Sequence, residues 1–301
     1  MIGYVSLVDR LFSDLFVAKS LLLILSIGTY GAFSVLINDY FDMPYDLLAG
    51  KKRTIYEIPK RYIHLMLTAL LLICSSTVVA IANSLYSAIY VIMLVLSILY
   101  SAPVFRFKER GRAAIAVDVL IEKTMPTALV FIAFDHIAPD VILLLALASC
   151  LHLEMILHHQ AEDCEMDKRV GIRTLVSEGL GVKQTLGVLD RYVRPVTTLL
   201  FLVFCLVLVQ KIPMLLFAYA AMTIVFLIMR RSTGTGTIVL EDKLRPFYFG
   251  CVAVMNDNVM PLLITICLVL LYPPYLPVMV VTLLAQSERY GYFAKIIVKA
   301  F

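Results

Sequence analysis

Long apolar runs alternate with short polar stretches along the whole chain. A helix rises 1.5 Å per residue, so roughly 20 residues cross the ~30 Å hydrocarbon layer of a bilayer. Runs of that kind lie at about 16–37, 62–82, 84–101, 113–134, 138–160, 194–211, 212–229 and 249–272, with a shorter one at about 274–287. Several connections are tight, at Asn83-Ser84 and Pro139-Asp140 for example. Tyr272-Pro273-Pro274 ends a helix outright, because proline lacks the amide hydrogen and crowds the preceding turn. The pattern predicts an all-α, polytopic transmembrane helical bundle of about eight to nine spans. No repeat, low-complexity stretch or long linker divides it, so residues 1–301 read as a single integral membrane domain.

Composition sharpens that picture. Of the 301 residues 61% are hydrophobic and 16% charged, against about half and one quarter in soluble domains. A core of this size cannot hide so much apolar surface from water, so lipid must solvate much of it. A disordered chain, a coiled coil, a disulfide scaffold and an ordinary soluble enzyme are all disfavoured. The net charge of +4 is too small to point to nucleic acid. The six cysteines form no CxxC pair and sit mostly in apolar runs, as buried thiols do. Asp9 and Asp14 stand where a cleavable signal would carry basic residues.

The charges also orient the chain. If side A is where the first span ends, it receives 38–61, 102–112, 161–193, 230–248 and the tail after 287. All 26 basic residues except Arg10, Lys19, Lys123 and Lys211 then lie on side A or at its edge, Arg194 included. Such a bias marks the cytoplasmic face.

Two acidic sets stand at span ends on that side. The first is Asn38, Asp39, Asp42 and Asp46; Asn38 and Asp42 are four apart and Asp39 and Asp46 seven, which gathers them on one broad helical face. The second is Asp163 and Asp167, again four apart. Crowded, half-dehydrated carboxylates need cations. Oxygen donors of this type suit Mg²⁺, which commonly bridges carboxylates to phosphates. Lys51, Lys52 and Arg53 follow the first set, Lys168, Arg169 and Arg173 the second, and Arg106, Lys108, Arg110 and Arg112 lie between. That combination outlines a diphosphate site. Each aspartate alone would equally suit a solvated helix end; two matched sets carry the argument.

The same residues carry a resemblance. NDYFDMPYD followed by LLAGKKR (38–53) resembles the NDxxDxxxD motif of the UbiA superfamily of intramembrane prenyltransferases. EDCEMDKRVGIRTL (162–175) is similar to its second motif, DxxxD followed by glycine. YSAPVFRFKERG (100–111) resembles its YSxPPxRxKxRG segment, with Val104 in place of the second proline. The motifs come in the family's order and the likeness runs from about residue 20 to 272. It implies a bundle with a central cavity open to lipid. Asp39, Asp42, Asp46, Asp163 and Asp167 would hold Mg²⁺. Asn38, Arg53, Arg106, Lys108, Lys123 and Arg173 would bind the diphosphate of a prenyl donor, and Tyr100 would join Asp39, Asp42, Asp163 and Asp167 in catalysis. The acceptor would be an aromatic or other lipophilic nucleophile, with membrane lipids as surroundings and the oligomeric state open. A terpene cyclase on the same bundle, or an ion-coupled transporter using Asp118 and Asp257, remain alternatives.

Against the family pattern, the first span would be reduced or missing, since residues 1–15 reach at most roughly 22 Å as a helix. Residues 274–301 would be an extra C-terminal segment, of which 274–287 would lie beside 16–37. Further polar residues at membrane depth are Asp118, Glu122 and Lys123, candidates for function or for an internal ion pair. His152 and His159 share a stripe with Asp163 and Asp167; His159 would hydrogen-bond an aspartate or deprotonate the acceptor. Glu154 and His158 form a possible pair, and Asn256-Asp257-Asn258 would bond between helices.

The charge bias generates a test. Single cysteines placed at Glu57, Glu109 and Glu178 should react with an impermeant maleimide from the cytoplasmic side only. Cysteines at Asn83 and Asp135 should react from the opposite side only.

Overall fold

The computed structural model describes residues 1–48, 50, 53–213, 215–221, 224, 260–285 and 287. The described residues contain helices and no strand. Among the described residues five helices are long and apolar enough to cross a membrane: Asp14–Leu48, Lys60–Ile81, Ser84–Ser101, Pro139–Val170 and Leu175–Lys211. We label them in chain order with their neighbours: α1 (Ile2–Val8), α2 (Asp14–Leu48), α3 (Lys60–Ile81), α4 (Ser84–Ser101), α5 (Arg112–Val119), α6 (Met125–Ala133), α7 (Pro139–Val170), α8 (Gly181–Val188), α9 (Arg194–Lys211), α10 (Met260–Leu271) and α11 (Leu276–Ala285).

The ends follow local chemistry. Asp14 puts a negative charge in the first turn of α2, where the helix dipole favours it. Ala82 closes α3 in the left-handed conformation, and the Asn83 side chain then accepts the Tyr86 amide at 2.9 Å to cap α4. Pro139 stands at the start of α7, where its missing amide hydrogen costs nothing. Gly171 ends α7 at φ +74°, a backbone that a β-carbon would strain.

The expected spans 16–37, 62–82, 84–101, 113–134, 138–160 and 194–211 reappear with two differences, while 212–229 and 249–272 lie only in part within the described residues. α2 and α7 run well past the apolar stretches 16–37 and 138–160, so both aspartate sets are carried on helix rather than loop. Pro44 is tolerated inside the last turns of α2. Likewise the expected loop 161–193 is mostly helical, with only 171–174 between α7 and the run that begins at Leu175. Polar residues leave lipid there, but Leu, Lys, Glu and Gln still favour helix in water. The expected span 113–134 is α5, a π turn over Leu120–Thr124, and α6 in unbroken succession. Residues 230–248, Lys51, Lys52, Asn256-Asp257-Asn258 and the tail after 287 lie outside the described residues.

The chain divides into two compact units. One comprises Met1–Leu21 with Phe201–Phe301, the other Leu22–Leu200. In the first, α1 lies against α10. Gly3 permits the approach: a β-carbon there would fall 2.2 Å from Ile264 Cγ2, and a branched side chain cannot swing away. Tyr4 meets Phe204, Phe12 meets Tyr272, and the Tyr275 hydroxyl donates to the Leu11 carbonyl at 2.8 Å.

In the second unit α2 is the axis. Its residues Ser26, Tyr30, Ser34, Asn38, Asp42 and Asp46 recur every four positions and form a polar stripe down one side. α4 answers with Tyr86, Tyr90, Ser97 and Ser101. Ser26 Oγ accepts from the Tyr86 hydroxyl at 2.9 Å and from Thr77 of α3 at 3.0 Å, and its carbonyl accepts from Tyr90 at 2.7 Å. Tyr30 and Ser97 hydroxyls meet at 2.6 Å, and Tyr30 also donates to the Ile121 carbonyl at 3.0 Å, in the π turn. Such bonds hold helices together where lipid gives no hydrophobic drive. The opposite face of α2 packs Phe33, Leu36 and Ile37 on Ile63 and Leu67 of α3. α7 packs on α5 and α6, with Leu157 against Ile115, Leu189 and Val193.

Ser26 is the node of this zipper. Ser26→Ala should leave the buried Tyr86 hydroxyl without its acceptor, while Thr77 still donates to the Cys74 carbonyl at 2.8 Å, and cost about 1–3 kcal/mol. The check is a lowered unfolding temperature in detergent; Ser75→Ala, which removes only a bond to its own helix, is the control.

Candidate active site

The cytoplasm-predicted ends of α2 and α4 meet in a charged mouth, all of it within the unit Leu22–Leu200. On α2, Asn38, Asp39, Asp42 and Asp46 project from consecutive turns. Asn38 Oδ1 accepts from Ser101 Oγ at 2.8 Å and faces Lys108 Nζ at 3.4 Å. Asp42 takes a short charged hydrogen bond from Lys108, with Arg106 Nη2 at 3.7 Å. Asp39 is paired with Arg53 Nη1, and Arg53 Nε reaches Asp46 at 3.2 Å. Asp46, 5% exposed, also accepts the Tyr56 hydroxyl. A 3₁₀ turn at Thr54–Glu57 follows Arg53 and supplies Tyr56, so one short segment clasps two aspartates.

The segment after α4 supplies the other cations. Arg106 sits at φ +40°, a left-handed backbone uncommon for a residue with a side chain. That conformation turns the chain into the 3₁₀ turn Phe107–Glu109. The Arg106 guanidinium lies 4.0 Å over the Tyr45 ring, bonds Glu109, and is 7% exposed. Its Nη2 is buried with no hydrogen-bond partner. Burial pushes the Lys108 ammonium below the ordinary lysine range, against the opposing pull of Asp42. Burial also raises the Tyr56 hydroxyl, and its bond to Asp46 adds to the effect.

The remaining expected residues are placed on neighbouring elements. Asp163 and Asp167 lie on the last turns of α7. Asp167 is buried, whereas Asp163 is partly exposed with His159 Nε2 at 3.8 Å. That distance exceeds a hydrogen bond, so His159 is an ion-pair neighbour at most. Arg173, exposed beyond Gly171, donates to Glu178 at 2.5 Å and lies in the field of Glu109, the partner of Arg106. Tyr100 faces Asp118, with Glu122 and Asp42 around it. Lys123 accompanies Glu122 in the π turn rather than the aspartates of α2. Among the described residues, no three Asp, Glu, His or Cys side chains stand close enough to grip an ion as they are; in the first set each carboxylate meets a cation instead.

Several participants were not singled out from the sequence. Tyr45, Ser101 and Glu109 lie inside the motif segments, Ser101 at the serine of the YSxPPxRxKxRG pattern, whereas Tyr56 lies outside them. His152 pairs with Asp118 at 2.9 Å, not with the aspartates of its own helix. Glu154 and His158, expected as a pair, both meet Arg194, at 2.8 and 2.6 Å.

Fold and mouth together define an integral membrane protein, all-helical in its described residues, with a polar site at one end of an apolar bundle. The chain belongs to the UbiA prenyltransferase family, whose model matches residues 4–240, as the three motifs led one to expect. Solved structures of a UbiA homolog from Archaeoglobus fulgidus share its fold. The one bound to GPP and Mg²⁺ has a TM-score of 0.59 at 19% identity, covering 87% of each chain. The one bound to DMAPP and Mg²⁺ gives 0.58 at 20%, covering 86% of this chain and 93% of that one. A third, bound to Cd²⁺, gives 0.55 at 20%, covering 82% and 87%. No curated protein matches the chain.

The mouth generates a prediction. Asp42→Asn should leave a half-buried ammonium at Lys108 without its carboxylate and destabilise the protein by about 1–3 kcal/mol. Asp42→Asn with Lys108→Met should recover much of that loss. Because the Lys108 pKa is lowered, the ammonium deprotonates sooner than an ordinary lysine, so the Asp42→Asn penalty should shrink as pH rises. Thermal unfolding of the three proteins across an alkaline pH series is the measurement.

Proposed function

We propose that the protein is a Mg²⁺-dependent intramembrane prenyltransferase that moves a prenyl group from a prenyl diphosphate to a lipophilic acceptor. One observation carries the reading: three cations, Arg53, Arg106 and Lys108, interleave with Asp39, Asp42 and Asp46 at one mouth, and the buried Nη2 of Arg106, 3.7 Å from Asp42, makes no hydrogen bond. A group with both anionic oxygens and bound cations satisfies every member at once. The family membership and the likeness to a homolog bound to GPP, DMAPP and Mg²⁺ support the choice.

The residues fit the ion. Asn38, Asp39, Asp42 and Asp46 offer only hard oxygen donors, from one helix face, as Mg²⁺ prefers. Asp163 and Asp167 would contribute a second set from α7. Bound there, Mg²⁺ would neutralise the charge that develops on the departing diphosphate. The chain's own groups do the rest. Arg53, Arg106, Lys108 and Arg173 bind diphosphate oxygens, with bonds that strengthen as charge accumulates in the transition state. Asn38 and Ser101 fix the position of Lys108. Tyr100, next inward along α4, presents a ring that stabilises the allylic cation. The apolar interior keeps water from capturing it. The basic bias supports a cytoplasmic position for this mouth.

Protein in nanodiscs, given donors of increasing length with and without Mg²⁺, should release diphosphate only with the ion. Asp39→Ala and Asp163→Ala should each lower the rate by at least about a hundredfold, with the fold intact by circular dichroism. A cyclic product from the donor alone would mark a cyclase. Wild-type rates in both variants would defeat the enzyme readings and favour transport.

A further inference from the structure

Inward from the mouth a second polar group crosses between helices. Asp118 of α5 is buried and accepts from His152 Nε2 of α7 at 2.9 Å. Glu122, one turn on in the π turn, takes the Ser34 hydroxyl of α2 at 3.1 Å. Asp118, His152 and Lys123 are the charges around Glu122, and Tyr100 lies in the field of Asp118, Glu122 and Asp42. The group therefore sits behind the donor mouth, along the same polar stripe of α2.

Three features show more than an internal ion pair. First, Glu122 stays exposed although Ser34 and Asp118 flank it. A carboxylate open to hydrocarbon is costly, and its hydrogen bond lies on the stripe of α2, so its open side belongs to the bundle interior. Second, His152 is 4% exposed, and its Nδ1 has no hydrogen-bond partner. Buried polar atoms are normally satisfied, so the imidazole has capacity for one more polar group. Third, Glu122 lies in the π turn that follows Asp118; π turns inside helices are frequent at functional sites.

We propose that Asp118, Glu122 and His152 form the acceptor end of the site, receiving an uncharged hydroxyl compound and taking up its proton. This rests on the prenyl-transfer reading. Two carboxylates against the single ammonium of Lys123 repel an acceptor that carries its own carboxylate, whereas a hydroxyl donates to them. The chemistry balances. The allylic C–O bond breaks, and its electron pair leaves on the diphosphate. The acceptor supplies the pair for the new bond from oxygen or from a ring carbon. The proton displaced at that atom passes to Glu122 or to the Asp118–His152 pair and then to water.

The test uses full-length protein in nanodiscs with Mg²⁺ and the donor that the length panel selects. Acceptors of similar size are hydroquinone, 4-hydroxybenzoate and an aliphatic alcohol, and both diphosphate and prenylated product are measured. An uncharged acceptor should be prenylated at least a hundredfold faster than 4-hydroxybenzoate, and the phenolic and aliphatic arms distinguish the source of the hydroxyl. Glu122→Gln and His152→Phe should lower product per diphosphate released by tenfold or more, with Glu122→Asp partly restoring it. A misfolded variant would lower both quantities together and leave their ratio unchanged. Equal or better use of 4-hydroxybenzoate, an unchanged ratio in both variants, or release with no transfer to an uncharged acceptor would overturn the inference while leaving donor activation standing. Absence of Mg²⁺-dependent release would instead overturn the prenyl-transfer reading beneath it.

Discussion

Hydrocarbon cannot solvate a charge or a bare hydrogen-bonding group, and the arrangement of this protein follows from that. Every polar side chain carried into the bundle must find its partner there. The stripe of α2 is the clearest result: from Ser26 through Tyr30, Ser34 and Asn38 to Asp46 each polar residue meets one from another element. The gradient along it is chemical. Hydroxyls lie deepest, an amide comes next, and carboxylates appear where α2 leaves lipid. The energy that binds α2 to α4 and the chemistry of the mouth thus come from one repeat.

Charge neutrality then governs the mouth. Arg53 serves Asp39 and Asp46, Lys108 serves Asp42, and Arg106 is shared between Asp42 and Glu109. A diphosphate arriving without cations of its own would leave the carboxylates uncompensated; divalent ions alone would leave the bases so. Arriving together they exchange partners at little net electrostatic cost. The reading of both metal and diphosphate at one place is therefore a single claim about balance, not two independent assignments.

Much of this was legible in the sequence because it depends on period and sign. Apolar runs of span length gave most helices, the four-residue spacing put Asn38 and Asp42 on one face, and the motifs led to the family. The helical character of 161–193 was not legible, since polarity was read as loop where it meant only the end of lipid contact. Partnerships across sequence were hidden for a different reason. His152 shares a helical stripe with Asp163, yet it turns to Asp118, because α5 packs beside α7 and burial there demands a partner. Tyr56 could not be foreseen either: it reaches Asp46 only because the chain turns back after Arg53. Spacing within a helix is written in the sequence, whereas packing between helices is decided by the whole bundle.

Arg106 shows what the mouth gives up in stability. Its left-handed backbone costs about 1–3 kcal/mol, and a buried guanidinium nitrogen without a hydrogen bond costs a comparable amount. Tyr45 and Glu109 hold the side chain in place nonetheless, one by its ring face and one by its carboxylate. A residue kept in this state has no folding purpose that Lys or Gln in a relaxed turn would not serve better. Under the proposed reaction an anion entering beside Asp42 would give that nitrogen its hydrogen bond, and would gain charge as the allylic bond breaks. That part of the cost would then be borne by the resting protein and recovered most fully at the transition state, where it would favour the chemistry rather than merely tighten the bound donor.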